Sequence, residues 1–143
     1  MVEREKILIE EIKGVQEIIK RMSTNSFFIK GWTITVVFAT LFLRCDKNNM
    51  INILLVLFPL LLFWYLDSYF LKQELLFREV HNWIRNNRLN SDEHLFDYNP
   101  SRFYDKVDSA WSLMLSETLA WFYGVTFIAS LFVVTIIYIS SNI

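Results

Sequence analysis

The chain has 143 residues, of which 54% are hydrophobic and 17% aromatic, with 3 Gly and 2 Pro. This composition is too apolar for an ordinary water-soluble domain and favours helices, so one membrane domain is the natural interpretation. A net charge of -1 excludes a strong overall field that would attract nucleic acid or acidic lipid. The single cysteine, Cys45, has neither a disulfide partner nor companions for a metal site, so we expect no metal and no cofactor.

An amphipathic cytoplasmic helix is predicted for residues 1–26. The segment 23–26 consists of capping and turn residues, and we expect a hinge there before the chain reaches the bilayer. Charges of both signs cover one side of the helix, which favours a protein partner over an anionic membrane surface. On the other side, apolar residues recur at the coiled-coil spacings of four and three and form a packing seam: Leu8, Ile12, Val15, Ile19 and Met22.

Three uncharged apolar stretches are long enough to cross a bilayer. We predict transmembrane helices at residues 27–44, 50–66 and 118–139, which reach about 26–33 Å at a rise of about 1.5 Å per residue. An external loop at 45–49 joins the first two, and an external tail follows at 140–143. A buried helix of a soluble bundle would show a polar stripe, which these stretches lack. The predicted fold is therefore an all-α membrane protein with three spans.

Residues 67–117, between the second and third spans, form the largest polar segment. The first breaker after the second span lies near Asn86, so the second helix should extend into the cytoplasm to about Arg85. A loop should follow, and then an interfacial helix, capped by Asp108 or Ser109, that runs into the third span. The extension of the second helix carries another seam, which we expect to meet the first: Leu66, Phe70, Gln73, Phe77, Val80 and Ile84.

The basic residues predict the orientation of the chain. They cluster before the first span and in the 67–117 segment, and the positive-inside rule places both in the cytoplasm. The expected location is the cell inner membrane, with several spans, the N-terminus inside and the C-terminus outside. The Lys30 ammonium can extend to the inner headgroups. Aromatic rings at the inner ends of the spans should settle at the same level: Trp32, Trp64, Tyr65, Trp121 and Tyr123.

Seven basic residues on the cytoplasmic helices are candidates for binding an anionic ligand. In a symmetric oligomer they would repeat around the axis and line a vestibule for a polyanion. The alternative is a solvated helix face that neighbouring acids balance. The candidates are Lys13, Lys20, Arg21, Lys72, Arg78, Arg85 and Arg88.

Five polar residues within the spans are candidates for lining a pore. Three helices in one chain cannot enclose a channel, so a pore would need several copies around an axis. The alternative is that such side chains stabilise helix packing in lipid. The candidates are Thr33, Thr40, Asn52, Thr126 and Ser130.

We expect no enzymatic activity. The sequence contains no nucleotide-binding loop, nucleophile elbow, zinc pattern or pairing of Cys with His. An intramembrane enzyme would need converging polar groups at depth, and the spans offer no acid, histidine or cysteine there. In the nearest polar cluster, Glu74 and Arg78 have the spacing of a solvated ion pair on one helix face, beside Glu79 and His81.

Two stretches of the sequence resemble a known family. They are Arg21-Met22, Asn25-Ser26-Phe27 and Lys30-Gly31-Trp32 at the first span, and Phe63-Trp64, Leu66-Asp67, Glu74 and Phe77-Arg78 at the second. They resemble the small membrane effectors of bacterial antiphage defence operons that stand beside a nucleotidyltransferase, the Hailong type. The resemblance implies an oligomeric ion channel that senses a nucleotide or short nucleic acid made by the partner enzyme. Opening would depolarise the cell and stop phage replication by abortive infection.

The leading interpretation is therefore a homo-oligomeric membrane effector, with a tetramer favoured, whose cytoplasmic helices control a conductance. The alternative is a non-enzymatic membrane anchor or small subunit that recruits a partner through its cytoplasmic heptad helices.

Overall fold

The computed structural model describes residues 2–43 and 49–141, and the chain is helical with no strand in these ranges. Three of the helices are long and apolar enough to span a membrane, which confirms the predicted all-α fold at that level. Cys45, most of the predicted external loop and the last two residues of the predicted tail lie outside the described residues. The elements are α1 (Val2–Leu43), α2 (Asn49–Asn87), a 3-10 helix (Pro100–Lys106), α3 (Ala110–Leu113) and α4 (Glu117–Ser141).

α1 and α2 form a long antiparallel hairpin with two chemically different ends. We call the part containing residues 27–43, 54–66 and 117–141 the apolar end, and the part containing residues 2–26 and 67–116 the polar end. α2 extends through the polar end as predicted, because neither glycine nor proline interrupts it after Pro59.

α1 passes through residues 23–26 without a break, so the predicted hinge is wrong. The hydroxyls of this segment do not cap a new helix. Thr24 Oγ1 donates to the Lys20 carbonyl at 2.8 Å, within the same helix, and Ser26 Oγ donates to the Asp67 carboxylate of α2. Capping residues favour a helix start only when their side-chain oxygens accept hydrogen bonds from the free backbone amides of the first turn. α1 is consequently one rod of 42 residues, about 63 Å long.

The polar end has its core where α1, α2 and the 3-10 helix meet. The predicted seam of α1 is used within the chain: Val15 is fully buried, and Leu8, Ile12 and Ile19 pack against the same core. Met22 is half-buried. The apolar seam of α1, which could have bound a partner protein, is thus covered by α2. The buried residues of this core are Val15, Leu76, Val80, Ile84 and Phe103.

The seam of α2 is only partly as predicted. Val80 and Ile84 are buried, but Leu76 occupies the core while Phe77 packs at its edge. Leu66 is exposed. A straight helix drifts by about 20° per heptad from a strict repeat, so a seam extrapolated along α2 leaves the contact face.

A second core joins the three long helices in the apolar end. It fills the space between them with side chains from each: Val37 of α1, Val56 and Leu60 of α2, and Leu119 and Tyr123 of α4. The outward faces of these helices are also apolar, and several of their large side chains are more than half exposed: Phe38, Phe58, Ile128 and Phe132.

The predicted interfacial helix does not continue into the third span, because the helix breaks between α3 and α4. Ser109 caps α3, because its Oγ accepts a hydrogen bond from the Ser112 amide at 3.2 Å. α3 ends at Leu113, and α4 begins at Glu117. Between them the Met114 carbonyl accepts a hydrogen bond from Trp64 Nε1 of α2 at 2.9 Å. This contact fixes the connection against α2.

Candidate functional site

A cluster of polar side chains lies where the polar and apolar ends meet, and we call it the junction cluster: Ser26, Lys30, Asp67 and Tyr123. Asp67 is its centre and is fully buried. Lys30 Nζ lies 2.6 Å from Asp67 Oδ2, and Tyr123 OH donates to the same oxygen at 3.1 Å. Ser26 Oγ donates to Oδ1. Each of the three long helices therefore contributes at least one side chain.

Local helix geometry explains why α1 supplies two of these groups. Ser26 and Lys30 are four residues apart and share one face of the helix, and Lys30 Nζ donates to Ser26 Oγ at 2.8 Å. The sequence predicted that Lys30 would extend to lipid headgroups. Its side chain is instead 28% exposed and pairs with Asp67, whose side chain is completely enclosed.

Aromatic side chains hold α4 against this cluster. The rings of Trp64 and Tyr123 are stacked, with centroids 5.6 Å apart and planes 7° from parallel. Tyr123 OH also lies 3.3 Å from the Phe63 carbonyl. The prediction that Trp64 and Tyr123 face headgroups is therefore wrong, because their polar atoms find partners inside the protein. Trp32, Tyr65 and Trp121 are exposed as a headgroup belt requires.

The junction cluster can act as a mechanical connection between the ends. An ion pair such as Lys30–Asp67 contributes little net stability, but removal of Lys30 leaves the buried charge of Asp67 uncompensated. Sequence reasoning missed it because Asp67 was taken only as the end of the second span. The available signal was that Lys30 and Asp67 are the charges bordering two apolar stretches on consecutive helices.

A second buried ion pair, the polar-end clamp, joins Glu11 of α1 to Arg88 just after α2. Arg88 is 1% exposed, and Glu11 is fully buried. Both Arg88 Nε and Nη2 donate to the Glu11 carboxylate. The remaining guanidinium hydrogens reach the carbonyls of Ser91, Glu93 and His94 at 2.9–3.0 Å, so every donor of the side chain is used.

The clamp shapes the loop that follows α2. Glu11 Oε1 accepts a hydrogen bond from the Phe96 amide at 2.7 Å, which anchors the loop while His94 and Phe96 adopt φ values of 54° and 53°. Such left-handed conformations are strained for residues other than glycine. Burial raises the pKa of Tyr98, and the neighbouring Glu11 and Glu10 carboxylates raise it further.

The seven predicted ligand residues lie in different environments. Arg88 is neutralised in the clamp, so its assignment to a ligand-facing surface is wrong. Lys13 and Lys20 are exposed on α1, where they alternate with Glu10 and Glu17 on the face opposite α2, so neighbouring acids balance them. Lys72 Nζ lies 5.3 Å from the ring centroid of Tyr104. Arg21, Arg78 and Arg85 are exposed.

A polar groove of about 580 Å³ lies between α1, α2 and residues 106–113. Arg78 is the one predicted ligand residue that lines it, and its Nη2 lies 2.7 Å from Glu74. Lys106 Nζ is 4.0 Å from Glu79. With its cations matched by acids, the groove suits a polar ligand carrying both signs of charge better than a polyanion. Its polar lining is Gln16, Arg78, Glu79, His81, Asn82, Lys106 and Asp108.

Two of the five predicted pore residues are buried between helices of a single copy. Thr33 and Ser130 are buried between the helices, so their assignment to a pore surface between copies is wrong. Thr40 and Thr126 are half-buried, and the side chain of Asn52 lies outside the described part of the structure. The four hydroxyls donate to carbonyls of their own helices at 2.7–2.9 Å.

Within the described residues, no group of three or more His, Cys, Asp and Glu side chains is placed to hold a metal ion. Comparisons of the chain with protein families, with characterised proteins and with solved structures found no match.

Proposed function

We propose that the chain is a homo-oligomeric membrane effector whose polar end controls an ion-conducting pore. In this proposal the three long helices cross the cell inner membrane, the polar end and the N-terminus lie in the cytoplasm, and the C-terminus lies outside. The protein is not an enzyme in this proposal; its output is a change in membrane conductance.

The apolar surface of the long helices supports membrane insertion. Large side chains such as Phe58 and Phe132 are about two-thirds exposed on the apolar end, where water would solvate them poorly. Lipid chains, or neighbouring copies of the protein within lipid, can cover this surface. The exposed rings of Trp32, Tyr65 and Trp121 fit the headgroup level near the junction cluster.

One observation carries the proposal of control. α1 and α2 both continue from the polar end to the apolar end without a break. The Lys30–Asp67 pair joins them where the two ends meet. A ligand that shifts the cytoplasmic halves of these rods must therefore also move their apolar halves. Such a ligand changes conductance only if it binds the closed and open packings with different affinities.

The pore of this proposal lies between copies of the chain. In the described part of one copy, side chains of all three long helices fill the space between them. Exposed hydroxyls on the outer faces are therefore better candidates for its lining than Thr33 and Ser130. Thr35 of α1 and Thr135 of α4 are such residues.

The biological role of this proposal comes from the resemblance to Hailong-type effectors. A partner nucleotidyltransferase would make a nucleotide or short nucleic acid, and the cytoplasmic helices would sense it. Several copies are needed to bring enough basic side chains to such a ligand. In one copy Arg88 is buried, and acidic side chains balance some of the other six predicted ligand residues. The polar groove is a separate site for a smaller, mixed-charge ligand.

Reconstitution of the purified protein in liposomes tests the proposal. We expect a ring of identical copies by native mass spectrometry, with a tetramer favoured, and an ion flux that protein-free liposomes lack. Expression in cells should lower the membrane potential when the partner enzyme sets the open state. An absence of ion flux and of depolarisation, with and without the partner enzyme, would exclude the channel.

The alternative function is a membrane anchor, and the packing of α1 weakens the case for it. The heptad seam of α1 that would recruit a partner is packed against α2 and the 3-10 helix. An anchor would therefore need another surface. A complex of one copy with one soluble partner, rather than a ring, would favour it.

A further inference from the structure

Lys30 and Asp67 differ in their access to water, and this difference makes their ion pair suited to a switch. The Lys30 side chain is 28% exposed and ends a flexible stem, so its ammonium can move to the surrounding solvent or headgroups. Asp67 is fully buried and has no such route. When the pair separates, Lys30 remains solvated while Asp67 retains an enclosed charge.

The remaining partners of Asp67 do not neutralise it. Ser26 and Tyr123 supply hydroxyl hydrogens to the carboxylate, but Lys30 supplies the positive charge. Without that charge, a carboxylate that stays ionised needs water around it, and water can enter only if the helices around it move apart. α1 and α2 are continuous rods, so separation at this level extends into the apolar end.

We propose that the Lys30–Asp67 ion pair is a latch that keeps α1 and α2 closed against each other, and that its rupture opens the hairpin at the junction cluster. Its coupling to ion flux rests on the function proposed above. Its effect on helix separation is independent of that function and can be measured separately.

Removal of one charge and of both charges distinguishes a latch from ordinary packing. Lys30→Met leaves Asp67 uncompensated, and we expect α1 and α2 to separate. Lys30→Met combined with Asp67→Asn removes both charges and retains polar atoms for Ser26 and Tyr123, so the closed packing should return. Asp67→Asn alone should open the helices less than Lys30→Met, because Lys30 reaches water.

Helix separation can be measured by electron paramagnetic resonance on the full-length protein in liposomes. Nitroxide labels on Phe28→Cys and Tyr69→Cys, in a Cys45→Ser background, report on exposed positions of α1 and α2 beside the junction cluster. We expect a longer distance in Lys30→Met and recovery in the double variant. Lys6→Met removes an exposed charge from α1 and should change nothing.

Ion flux on the same samples completes the test. We expect Lys30→Met to raise flux roughly tenfold or more, given the cost of a buried unpaired charge. An unchanged distance in Lys30→Met, or a double variant as open as the single one, overturns the latch. Failure of Lys30→Met to fold, with recovery in the double variant, supports it. The expected distances without ion flux in any variant would retain the latch and remove the channel.

Discussion

Glu11 and Arg88 are 77 residues apart in the chain, yet the guanidinium of one and the carboxylate of the other form a two-pronged ion pair inside the polar end. The pair joins α1 to the end of α2, far from the apolar end. It also determines the path of the loop, since the same guanidinium holds the carbonyls of Ser91, Glu93 and His94.

Replacement of Arg88 by lysine should strongly destabilise the polar end. Lysine keeps the charge but cannot reproduce the planar five-donor arrangement, so carbonyls of the loop would lose partners. We expect a loss of about 3 kcal/mol, which corresponds to an apparent Tm lower by roughly 10 °C in detergent. Arg85→Lys, at an exposed position of α2, is the matched control and should change Tm by little. Equal Tm values for the two variants would contradict the role of the clamp.

Gly14→Ala should be destabilising although alanine favours helices. A Cβ at Gly14 would lie 2.9 Å from Tyr98 Oη, so the ring and its loop must shift. We expect a net loss of about 1 kcal/mol, because the steric cost exceeds the gain in helix propensity. Gly31→Ala meets nothing within 4 Å and is the control.

Removing the Tyr98 oxygen should relieve this clash. Tyr98→Phe combined with Gly14→Ala should recover most of the lost stability, measured as Tm in the same detergent. A double variant no more stable than Gly14→Ala would show that the contact is not the cause.

The three long helices could be predicted because an uncharged, apolar sequence favours a helix both in lipid and in a protein core. Uncharged stretches such as residues 118–139 identify an apolar helix whatever it packs against. The extension of α2 followed from the absence of a breaker before Asn86. These features depend on local composition, which a single sequence contains.

The polar connections depended on tertiary pairing, and spacing alone did not reveal them. Serine is a common helix cap, so Ser26 favoured a hinge. In the structure its hydroxyl donates to the buried Asp67 carboxylate instead, and α1 continues without a break. In the sequence, Arg88 resembles the other basic residues of the polar end. Only the folded structure places Glu11 opposite it. Periodicity identifies an apolar face but not the partner of a polar group on that face.

Trp64→Phe should loosen the connection between α3 and α4. The substitution keeps an aromatic ring against Tyr123 but removes the Nε1 donor to the Met114 carbonyl. We expect a loss of about 1 kcal/mol and faster hydrogen exchange of the amides at 114–117, measured by mass spectrometry. Trp121→Phe, at an exposed ring of α4, should leave exchange there unchanged. Equal exchange in both variants would mean that the hydrogen bond does not hold the connection.

Thiol modification can test where a pore surface lies. Thr35→Cys in a Cys45→Ser background places a thiol on the exposed face of α1, and Thr33→Cys places one in the packed interior. If the pore lies between copies, a small charged thiosulfonate should block ion flux through the Thr35→Cys protein by more than half. The Thr33→Cys protein should keep its flux. The reverse result would place the pore inside a single copy and contradict the proposed arrangement.

The native cysteine provides a test of orientation. Cys45 lies between the first two predicted spans, and the positive-inside rule places that connection outside the cell membrane. A membrane-impermeant maleimide should therefore label the wild-type protein in intact spheroplasts. Asn90→Cys in a Cys45→Ser background carries its thiol at the opposite end of the hairpin and should react only after permeabilisation. Labelling of Asn90→Cys before permeabilisation, with Cys45 protected, would show the opposite topology, with the polar end outside the cell membrane.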